Sequence, residues 1–473
     1  MSAQREITLV GAGLVGALLA TLLAQRGFRV NVFERRPDPR LHGFIGGRSI
    51  NLALAERGWH GLRVAGLSDV IAPIAVMMRG RLVHDAAGNT NLQRYGRDDS
   101  EVIWSVSRGQ LNCVLLDAAE QAGARIHFDQ RLDTVDWDAR RLHLRSEADN
   151  VSRTHDAGLL LGADGAGSAL RQAMARLADL GERLEPLGHG YKELEIPPLP
   201  QLPEAALTPA LREARARGEL FAMEPHALHI WPRGSYMCIA LPNAEGSFTV
   251  TLFLPGEAKN GVPGFDALTS REAVETFFRR DFADAVPLMP EYLDDFMRNP
   301  TGLLATLYLE RWHVDGQALL LGDAAHAIVP FHGQGMNCGF EDAVELAGLL
   351  AADSRDPAGV FAEFQRRRKP NSDAIAAMAL DNYIEMRDRV DDPDYLLMRE
   401  LERTLAARHP DRYQPRYALV TFTRLPYAFA RERGAQQTAL LRELVRGKAS
   451  LAQIDLAAAD AAVLACLPPL PAA

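Results

Sequence analysis

One short segment near the N-terminus constrains the fold of this chain more than any other. The apolar run Ile7-Thr8-Leu9-Val10 leads directly into Gly11-Ala12-Gly13-Leu14-Val15-Gly16, and residues 14–25 then follow a helical pattern rich in Ala and Leu. A second strand pattern, residues 29–34, ends on Glu34. The glycines permit a tight turn from strand to helix, and an acid at the next strand end can accept from ribose hydroxyls. The spacing therefore predicts a βαβ unit that binds a dinucleotide.

Two later segments help to decide which dinucleotide, because a lone GxGxxG also occurs at ordinary turns and serves both NAD and FAD. The apolar run 159–162 is followed by Asp164-Gly165 and a helical pattern. A third segment, Leu319-Leu320-Leu321-Gly322-Asp323-Ala324-Ala325-His326, is a buried strand pattern that ends in an acid, and Pro330 and Gly333-Gln334-Gly335-Met336-Asn337 follow it. A carboxylate at that strand end suits the ribityl chain of FAD, and a helix start suits the anion of reduced flavin.

Residues of the third segment also have an ordinary structural interpretation. Asp323 fits a turn or helix-cap residue, because Asp often caps helices. His326 fits a structural histidine whose hydrogen bonds are satisfied. Both interpretations stay open for each residue taken alone, but three spaced motifs in this order favour an FAD site.

Length and strand patterns indicate several lobes that share one cofactor. The chain has 473 residues, of which 47% are hydrophobic and 24% charged, so it is globular and larger than one ordinary core. Antiparallel strand patterns occupy residues 77–106 and 228–253, and the pattern beyond residue 365 is helical. The predicted fold is α/β, with a Rossmann-like FAD-binding lobe, an inserted antiparallel-sheet substrate lobe and a C-terminal helical lobe. The predicted domains are an FAD-binding domain at 1–72, 106–182 and 300–370, a substrate domain at 73–105 and 183–299, and a helical domain at 371–473.

Several classes of protein are disfavoured by charge and composition. A net charge of −9 argues against nucleic acid, which requires a clustered basic surface. The four cysteines form no CxxC pair and no metal-ligand spacing with histidine, so we expect no metal and a reducing cytoplasm. The N-terminus runs directly into an apolar strand and leaves no room for a signal peptide. Acidic residues and prolines interrupt the apolar segment 449–473, so we expect no membrane span and a cytoplasmic location.

The order of GxGxxG, Asp-Gly and Gly-Asp motifs resembles that of the single-component FAD-dependent aromatic hydroxylases. No second GxGxxG follows a strand pattern, so a dedicated nicotinamide lobe is not evident. Four stretches, within a similarity that covers roughly residues 5 to 430, resemble the kynurenine 3-monooxygenase family in particular. They are Gly47-Arg48-Ser49-Ile50-Asn51-Leu52-Ala53-Leu54, His189-Gly190-Tyr191-Lys192-Glu193-Leu194, Leu228-His229-Ile230-Trp231-Pro232-Arg233 and Asn382-Tyr383-Ile384-Glu385-Met386-Arg387.

The resemblance implies an activity and its reactants. The family hydroxylates L-kynurenine to 3-hydroxykynurenine with tightly bound FAD, transient NADPH and O2, through a flavin C4a-hydroperoxide. The partner is then a small aromatic amino acid, and a homodimer is the assembly to test. The ring amine of such a substrate already donates electron density to the adjacent ring carbon, so no strong base is demanded and we assign no catalytic acid or base.

The resemblance also implies site residues. The FAD contacts, together with the glycines and loop residues of the motifs, are Gly11, Gly13, Val15, Gly16, Phe33, Glu34, Arg35, Arg36, Ala53, Arg108, Leu132, Asp323, Pro330, Gly335, Met336 and Asn337. The substrate clamp for the amino-acid end is formed by Arg81, Tyr95, Asn382 and Tyr417. A planar guanidinium suits this task because it can bind a carboxylate through two parallel hydrogen bonds. Taken alone, an Arg is more often a solvated surface residue and a Tyr the edge of a core.

The chain departs from the family at two places, and other functions stay open. His332 lies in a loop expected beside the flavin, where other members can carry an aromatic residue, and the membrane anchor that ends the animal members is not evident here. One alternative is a hydroxylase of phenolic acids, which benefits from a base that ionises the phenol. The others are a flavin-dependent reductase or dehydrogenase of the same fold, and a non-catalytic flavin-binding module.

Overall fold

The chain folds into a mixed α/β structure in a computed structural model that describes residues 6–43, 51–388 and 393–471. Residues 47–50 of the first family-like stretch, the side chains of Met386 and Arg387 in the fourth, and residues 1–5 lie outside this description. The strands are β1 (Glu6–Val10), β2 (Arg29–Phe33), β3 (Asn51–Leu54), β4 (Ala75–Met78), β5 (Gly80–His84), β6 (Thr90–Arg94), β7 (Ile103–Ser107), β8 (Arg125–His127), β9 (Gln130–Asp136), β10 (Arg141–Ser146), β11 (Ser152–Asp156), β12 (Leu159–Gly162), β13 (Arg183–Ile196), β14 (Ala227–Pro232), β15 (Met237–Pro242), β16 (Phe248–Pro255), β17 (Gly302–Tyr308), β18 (His313–Val314) and β19 (Ala318–Leu320). The helices are α1 (Leu14–Gln25), α2 (Pro39–His42), α3 (Glu56–Ala65), α4 (Ser68–Ile71), α5 (Arg108–Gln121), α6 (Ala169–Met174), α7 (Pro209–Ala216), α8 (Arg271–Asp281), α9 (Tyr292–Arg298), α10 (Asp323–His326), α11 (Gly335–Ala352), α12 (Pro357–Asp388), α13 (Pro393–Arg408), α14 (Arg416–Phe422), α15 (Tyr427–Val445) and α16 (Leu456–Cys466).

A six-stranded sheet forms the first layer, in the order β18-β19-β12-β1-β2-β8. Its pairs are parallel except for β18 with β19. Strands β1 and β12 are fully buried or nearly so, because helices α1, α5 and α11 pack together over the sheet. Since the strands are parallel, the loops after β1, β2, β12 and β19 all emerge at the same edge of the sheet.

A seven-stranded sheet forms the second lobe, in the order β17-β13-β16-β15-β14-β5-β6. All its pairs are antiparallel except β14 with β5, which is parallel. One face packs on α8 and α9 in a core that contains Phe248, Phe278 and Phe282. The other face packs on α12 and the turn at 330–332, through Phe253, Phe331 and Tyr383.

Two three-stranded sheets, β3-β7-β4 and β9-β10-β11, and a C-terminal group of helices complete the architecture. The predicted α/β fold class with a helical C-terminus is confirmed. The predicted helical domain begins at residue 371, but helix α12 continues across that position and has Pro370 inside it. The domain division itself stays a prediction. Among the described residues, no helix has both the length and the apolar character needed to cross a membrane.

Candidate flavin and substrate site

The glycine-rich loop after β1 packs against the protein at Gly11 and Gly16 and has open space beside Gly13. Gly11 has φ +96, and a Cβ there would lie 2.6 Å from the carbonyl oxygen of Ala163. A Cβ on Gly16 would overlap the carbonyl of Gly11. A Cβ on Gly13, in contrast, would meet nothing within 4 Å. The loop therefore leaves open space at the start of α1, where a pyrophosphate could approach the backbone.

The acid at the end of β2 is joined to this loop. The Glu34 carboxylate accepts from the backbone N–H of Ala12 at 2.8 Å and from that of Arg36 at 3.0 Å. Carboxylate oxygens have further lone pairs, so these bonds leave acceptor capacity for ribose hydroxyls. The preceding Phe33 stacks on His127, with ring centroids 4.8 Å apart. Arg35 and Arg36 are both exposed at the same strand end.

The Gly-Asp motif lies directly against the first motif. Gly322 has φ +58, and a Cβ on it would lie 3.3 Å from both γ-carbons of Val15. Asp323 then begins α10 with an exposed side chain, whereas Ala324 and Ala325 beside it are buried. No hydrogen bond or ion pair joins the Asp323 carboxylate to another side chain or backbone group in the described ranges. This geometry is that of a carboxylate open to a ligand and differs from that of a helix cap.

His326, in contrast, is hydrogen-bonded within the protein, as expected for the structural interpretation that the sequence left open. Its Nε2 lies 2.6 Å from the Asp342 carboxylate, which also accepts from Arg368 at 2.7 Å and from the Gly322 N–H at 3.0 Å. Burial raises the pKa of Asp342, but His326 and Arg368 outweigh burial and hold that pKa to about 2. The ligand atoms of His326, Asp342 and Cys338 lie within 4.8 Å of one another. The Arg368 guanidinium contacts both Asp342 and Cys338, so a cation already neutralises this cluster.

Asp164 of the Asp-Gly motif is engaged within the protein. Its carboxylate accepts from the Ser168 hydroxyl at 2.5 Å and from the N–H of Ala169, the first residue of α6, at 2.7 Å. Ser168 is the N-cap of α6, so Asp164 supports the cap and bonds a free N–H of the first turn. From the same helix, Arg171 donates to the carbonyls of Ala166 and Ala324. The segment that contains the Asp-Gly motif is therefore hydrogen-bonded to the backbone of the Gly-Asp motif.

Asn337, at the start of α11, connects the turn after α10 to strand β3. Its amide donates to the carbonyls of Ala53 and Gly333, both at 2.9 Å, and accepts from the N–H of Ala55 at 3.0 Å. The Asn337 side chain is thus fully used by the protein and leaves its backbone to meet a ligand. Met336 beside it is 9% exposed.

The remaining predicted FAD contacts differ in how far their side chains can reach a ligand. Leu132 is 4% exposed and lies in the core of the first lobe, so its side chain is already covered by protein. Arg108 begins α5 and is exposed, Pro330 begins the turn at 330–332 and is exposed, and Gly335 begins α11. The open loop at Gly13 and the free acid at Asp323 fit FAD, and the residue assignments themselves stay predictions.

A cavity of about 880 Å³ lies between the seven-stranded sheet and the C-terminal helices, and all four predicted clamp residues line it. The guanidinium carbon of Arg81 lies 5.6 Å from the ring centroids of both Tyr95 and Tyr417. Within the described residues, no carboxylate forms an ion pair with Arg81. Burial lowers the pKa of this guanidinium, but Tyr95 and Tyr417 outweigh burial and the net shift is upward. Arg81 is therefore a permanent cation facing a cavity.

The turn at 330–332 connects this cavity to the Gly-Asp motif. Asn382 donates to the Phe331 carbonyl at 2.5 Å. His332, which is 7% exposed, lines the cavity and stacks on Tyr417 with centroids 5.4 Å apart. Burial lowers the pKa of His332 to about 3, so the ring is neutral near neutral pH.

Comparisons with known proteins agree with this geometry. The profile of the FAD binding domain family matches residues 4–183 and 293–378. A kynurenine 3-monooxygenase of Xanthomonas axonopodis pv. citri (strain 306) is 55% identical over 99% of this chain and 98% of its own length. A kynurenine 3-monooxygenase of Xanthomonas campestris pv. campestris (strain 8004) is 53% identical over 99% of this chain and 98% of its own length.

This chain belongs to the kynurenine 3-monooxygenase family.

Solved structures of more distant relatives show the same fold. The tetrameric form of 2-methyl-3-hydroxypyridine-5-carboxylic acid oxygenase has a TM-score of 0.64 at 20% identity, over 84% of this chain and 96% of its own. PqsL of P. aeruginosa in complex with 2-aminobenzoylacetate has a TM-score of 0.61 at 21% identity, over 82% of this chain and 97% of its own. At these identities the likeness concerns the fold alone.

Several further residues that line the cavity could not be identified from the sequence. The cavity extends beyond the clamp to Tyr395, Arg399, Glu402 and Arg416 on α13 and α14. Arg399 donates to Glu402 at 2.5 Å, and Arg416 donates to Glu385 at 2.8 Å. Charged helical residues normally form a solvated face, and only the packing of α13 and α14 beside the cavity places these residues in its lining.

Proposed function

We propose that this chain is an FAD-dependent monooxygenase that converts L-kynurenine to 3-hydroxykynurenine with NADPH and O2. The observation that carries the proposal is the Arg81 guanidinium, which faces the cavity without a carboxylate partner among the described residues. Arg81 is half-buried, and even partial burial of a cation without a counter-ion costs free energy, which a substrate carboxylate would offset. The names of the relatives supply the identity of the substrate.

One group of residues would hold the flavin, and the clamp residues would hold the substrate. Gly11 and Gly16 allow the tight packing of the loop, and Gly13 leaves room for the pyrophosphate. Glu34 would accept from the ribose and Asp323 from the ribityl chain. The bound flavin would supply the redox chemistry, accepting a hydride from NADPH and activating O2. The remaining proposed contacts are Val15, Phe33, Arg35, Arg36, Ala53, Arg108, Leu132, Pro330, Gly335, Met336 and Asn337.

The clamp residues would hold the substrate by its amino-acid end. Arg81 would bind the carboxylate through two hydrogen bonds, and the hydroxyls of Tyr95 and Tyr417 and the amide of Asn382 would complete the polar contacts. Fixing that end directs the aromatic ring towards the turn at 330–332, which adjoins the Gly-Asp motif. Such orientation is a large part of catalysis when the reaction needs little proton transfer.

The groups nearest Arg81 favour an aniline over a phenol as substrate. His332 has a pKa of about 3 and is a weak base. Burial raises the pKa of both Tyr95 and Tyr417, so neither ionises near neutral pH. A phenolic substrate gains from a base that ionises its hydroxyl, whereas the ring amine of kynurenine activates the ring without one.

One assay tests the proposal against its alternatives. Purified protein is incubated with L-kynurenine, NADPH and O2, and the product is analysed by mass spectrometry. We expect a product heavier by one oxygen atom, with hydroxylation next to the ring amine and one NADPH consumed per product. NADPH consumption without oxygen insertion would indicate a reductase or an uncoupled oxidase. Turnover of 4-hydroxybenzoate but not kynurenine would indicate a phenolic-acid hydroxylase.

The domain division at residues 72/73, 105/106, 182/183, 299/300 and 370/371, the cytoplasmic location and the homodimer belong to the same proposal. Light scattering coupled to size-exclusion chromatography tests the assembly, because a mass of one chain excludes the dimer. The computed mass of one chain is 51.9 kDa.

A further inference from the structure

The stretch Leu228-His229-Ile230-Trp231-Pro232-Arg233 has a family-like sequence but no part in the flavin or substrate site described above. Strand β14, which contains all of it except Arg233, pairs in parallel with β5, and Leu228 lies opposite Arg81 in the register. Side chains alternate along a strand, so Arg81 and Val83 share one face of β5 while Leu82 and His84 share the other. His229 and Trp231 of β14 meet His84 on that second face.

His84 forms a chain of contacts from the sheet to the helical layer beneath it. Its Nε2 lies 2.9 Å from Nδ1 of His229, and its Nδ1 lies 2.9 Å from the Asp284 carboxylate. The Trp231 indole N–H donates to both Asp284 oxygens, at 3.0 and 2.9 Å. The rings of His84 and Trp231 are stacked with centroids 4.2 Å apart and an angle of 25°. Both histidines are buried, with exposures of 7% and 1%.

The hydrogen-bond partners determine where the protons lie. Nε2 of His229 lies 2.9 Å from the Glu224 carbonyl oxygen, which can only accept, so His229 carries its proton there. Burial lowers the pKa of His229 to about 4, so its Nδ1 is an acceptor and His84 must donate to it. Burial raises the pKa of Asp284, but hydrogen bonds from His84 and Trp231 outweigh burial, so the carboxylate is ionised and also accepts from His84. His84 therefore donates from both ring nitrogens.

We propose that His84 is held as an imidazolium between Asp284 and His229 and thereby acts as a positioning residue for Arg81. This inference rests on the proposed function, since it assigns Arg81 to the substrate carboxylate. The imidazolium lies over the Trp231 ring, an arrangement that favours the charged form through a cation–π interaction. The other charged groups near it are Arg233, which donates to the His84 carbonyl at 3.2 Å, and Asp281, whose carbonyl accepts from Arg233.

Strand β5 needs such fixation because of its place in the sheet. Its outer neighbour is the edge strand β6, whose residues are all exposed, so packing on that side restrains β5 little. On its inner side, β5 meets β14 over only four register pairs. The His84 contacts add a bond across this pair and an ion pair to the segment after α8. A small displacement of β5 would move Arg81 relative to Tyr417, which belongs to the C-terminal helices.

The experiment compares two substitutions at His84 with two ligands. In His84→Asn the amide can replace Nδ1 but not Nε2, and in His84→Gln the reverse holds. Kynuramine retains the aryl ketone and ring amine of kynurenine but lacks the carboxylate. We expect both variants to raise the dissociation constant of kynurenine by about tenfold or more, and that of kynuramine by less than about twofold. Equal weakening of both ligands would overturn the positioning role.

A double-mutant cycle with Arg81→Ala tests whether His84 acts through Arg81. Once the guanidinium is absent, adding His84→Asn should change kynurenine affinity by less than about twofold. Additive losses would contradict the proposal. His409→Asn is the matched control, because His409 forms a similar pair with Asp460, at 2.7 Å, at the far end of the helical lobe. We expect it to lower the melting temperature and leave both affinities unchanged.

The protonation of His84 is measured separately from ligand binding. Nitrogen-15 spectra of histidine-labelled protein should contain one imidazolium signal that is absent from the His84→Asn variant. Loss of a neutral imidazole signal instead would overturn the assignment. A parent protein that neither binds nor hydroxylates kynurenine would refute the proposed function and the positioning role with it, whereas the spectrum decides the state of His84 in either case.

Discussion

The rings of Tyr95 and Tyr417 are stacked, with centroids 5.4 Å apart and an angle of 16° between their planes. Tyr95 directly follows β6 in the seven-stranded sheet, and Tyr417 lies on α14 in the C-terminal helical group. The two hydroxyl-bearing rings therefore join the two lobes in the lining of the cavity. The Arg81 guanidinium carbon lies 5.6 Å from each ring centroid, so the guanidinium lies against a tyrosine of each lobe.

Removal of the Arg81 guanidinium should weaken kynurenine binding selectively. A charge-assisted contact to a buried carboxylate contributes roughly 2–5 kcal/mol, so Arg81→Ala should raise the kynurenine dissociation constant by about tenfold or more. FAD content should be normal. Kynuramine should bind the parent protein poorly and respond little to the substitution. If both ligands weaken equally, Arg81 supports the pocket without recognising the carboxylate.

Two aspartates of the flavin motifs should respond differently to the same substitution. Asp323 is exposed and has no partner among the described residues, so Asp323→Ala should reduce FAD retention during dialysis while leaving the unfolding of apo-protein unchanged. Asp164 accepts from the Ser168 cap of α6 and from the first N–H of that helix, so Asp164→Ala should lower the free energy of unfolding by about 1 kcal/mol. FAD absorbance and denaturant unfolding measure the two effects. Full FAD retention by Asp323→Ala would show that the carboxylate has no role at the ribityl chain.

NADPH should reduce the flavin slowly until the aromatic substrate binds. A single dinucleotide motif leaves NADPH without a lobe of its own, so substrate binding is expected to bring flavin and nicotinamide into contact. Anaerobic stopped-flow mixing with and without kynurenine measures both rates through the loss of flavin absorbance. Equal rates in the two experiments would show that no such gate exists.

His332 should make the protein less stable in acid. Burial lowers its folded-state pKa to about 3, below the roughly 6.5 of an unfolded histidine. The stabilisation of the neutral ring is therefore fully present above about pH 6.5 and is lost as the pH falls towards 3.

His332→Phe retains an aromatic ring beside Tyr417 but has no proton to gain. Its free energy of unfolding should fall less steeply than that of the parent between about pH 6.5 and 4.5. Denaturant unfolding at several pH values measures both slopes. Parallel slopes in parent and variant would show that His332 is not buried as a neutral ring.

Local patterns were sufficient to predict the dinucleotide loop. The strand before it, the turn and the helix after it depend on residues that are close in the chain, and β1, α1 and β2 match their predicted segments within one residue. The four clamp residues were predicted from family resemblance, and all four line one cavity. No residue spacing could have indicated this, because Arg81 and Asn382 belong to different lobes.

By itself, the sequence determined the α/β class, the flavin motifs and the family, because glycine spacing and hydrophobic periodicity act over short distances along the chain. Only the tertiary structure decided which interpretation held for individual residues. Asp342 and Arg368 make His326 a structural residue, Asp164 is bonded to the start of α6 and Asp323 is open to a ligand. The parallel pairing of β5 with β14 brings His84 to His229 and aims Arg81 at the cavity. Such relationships depend on which distant segments become neighbours, and a side chain's hydrogen-bond partners exist only once that packing has formed.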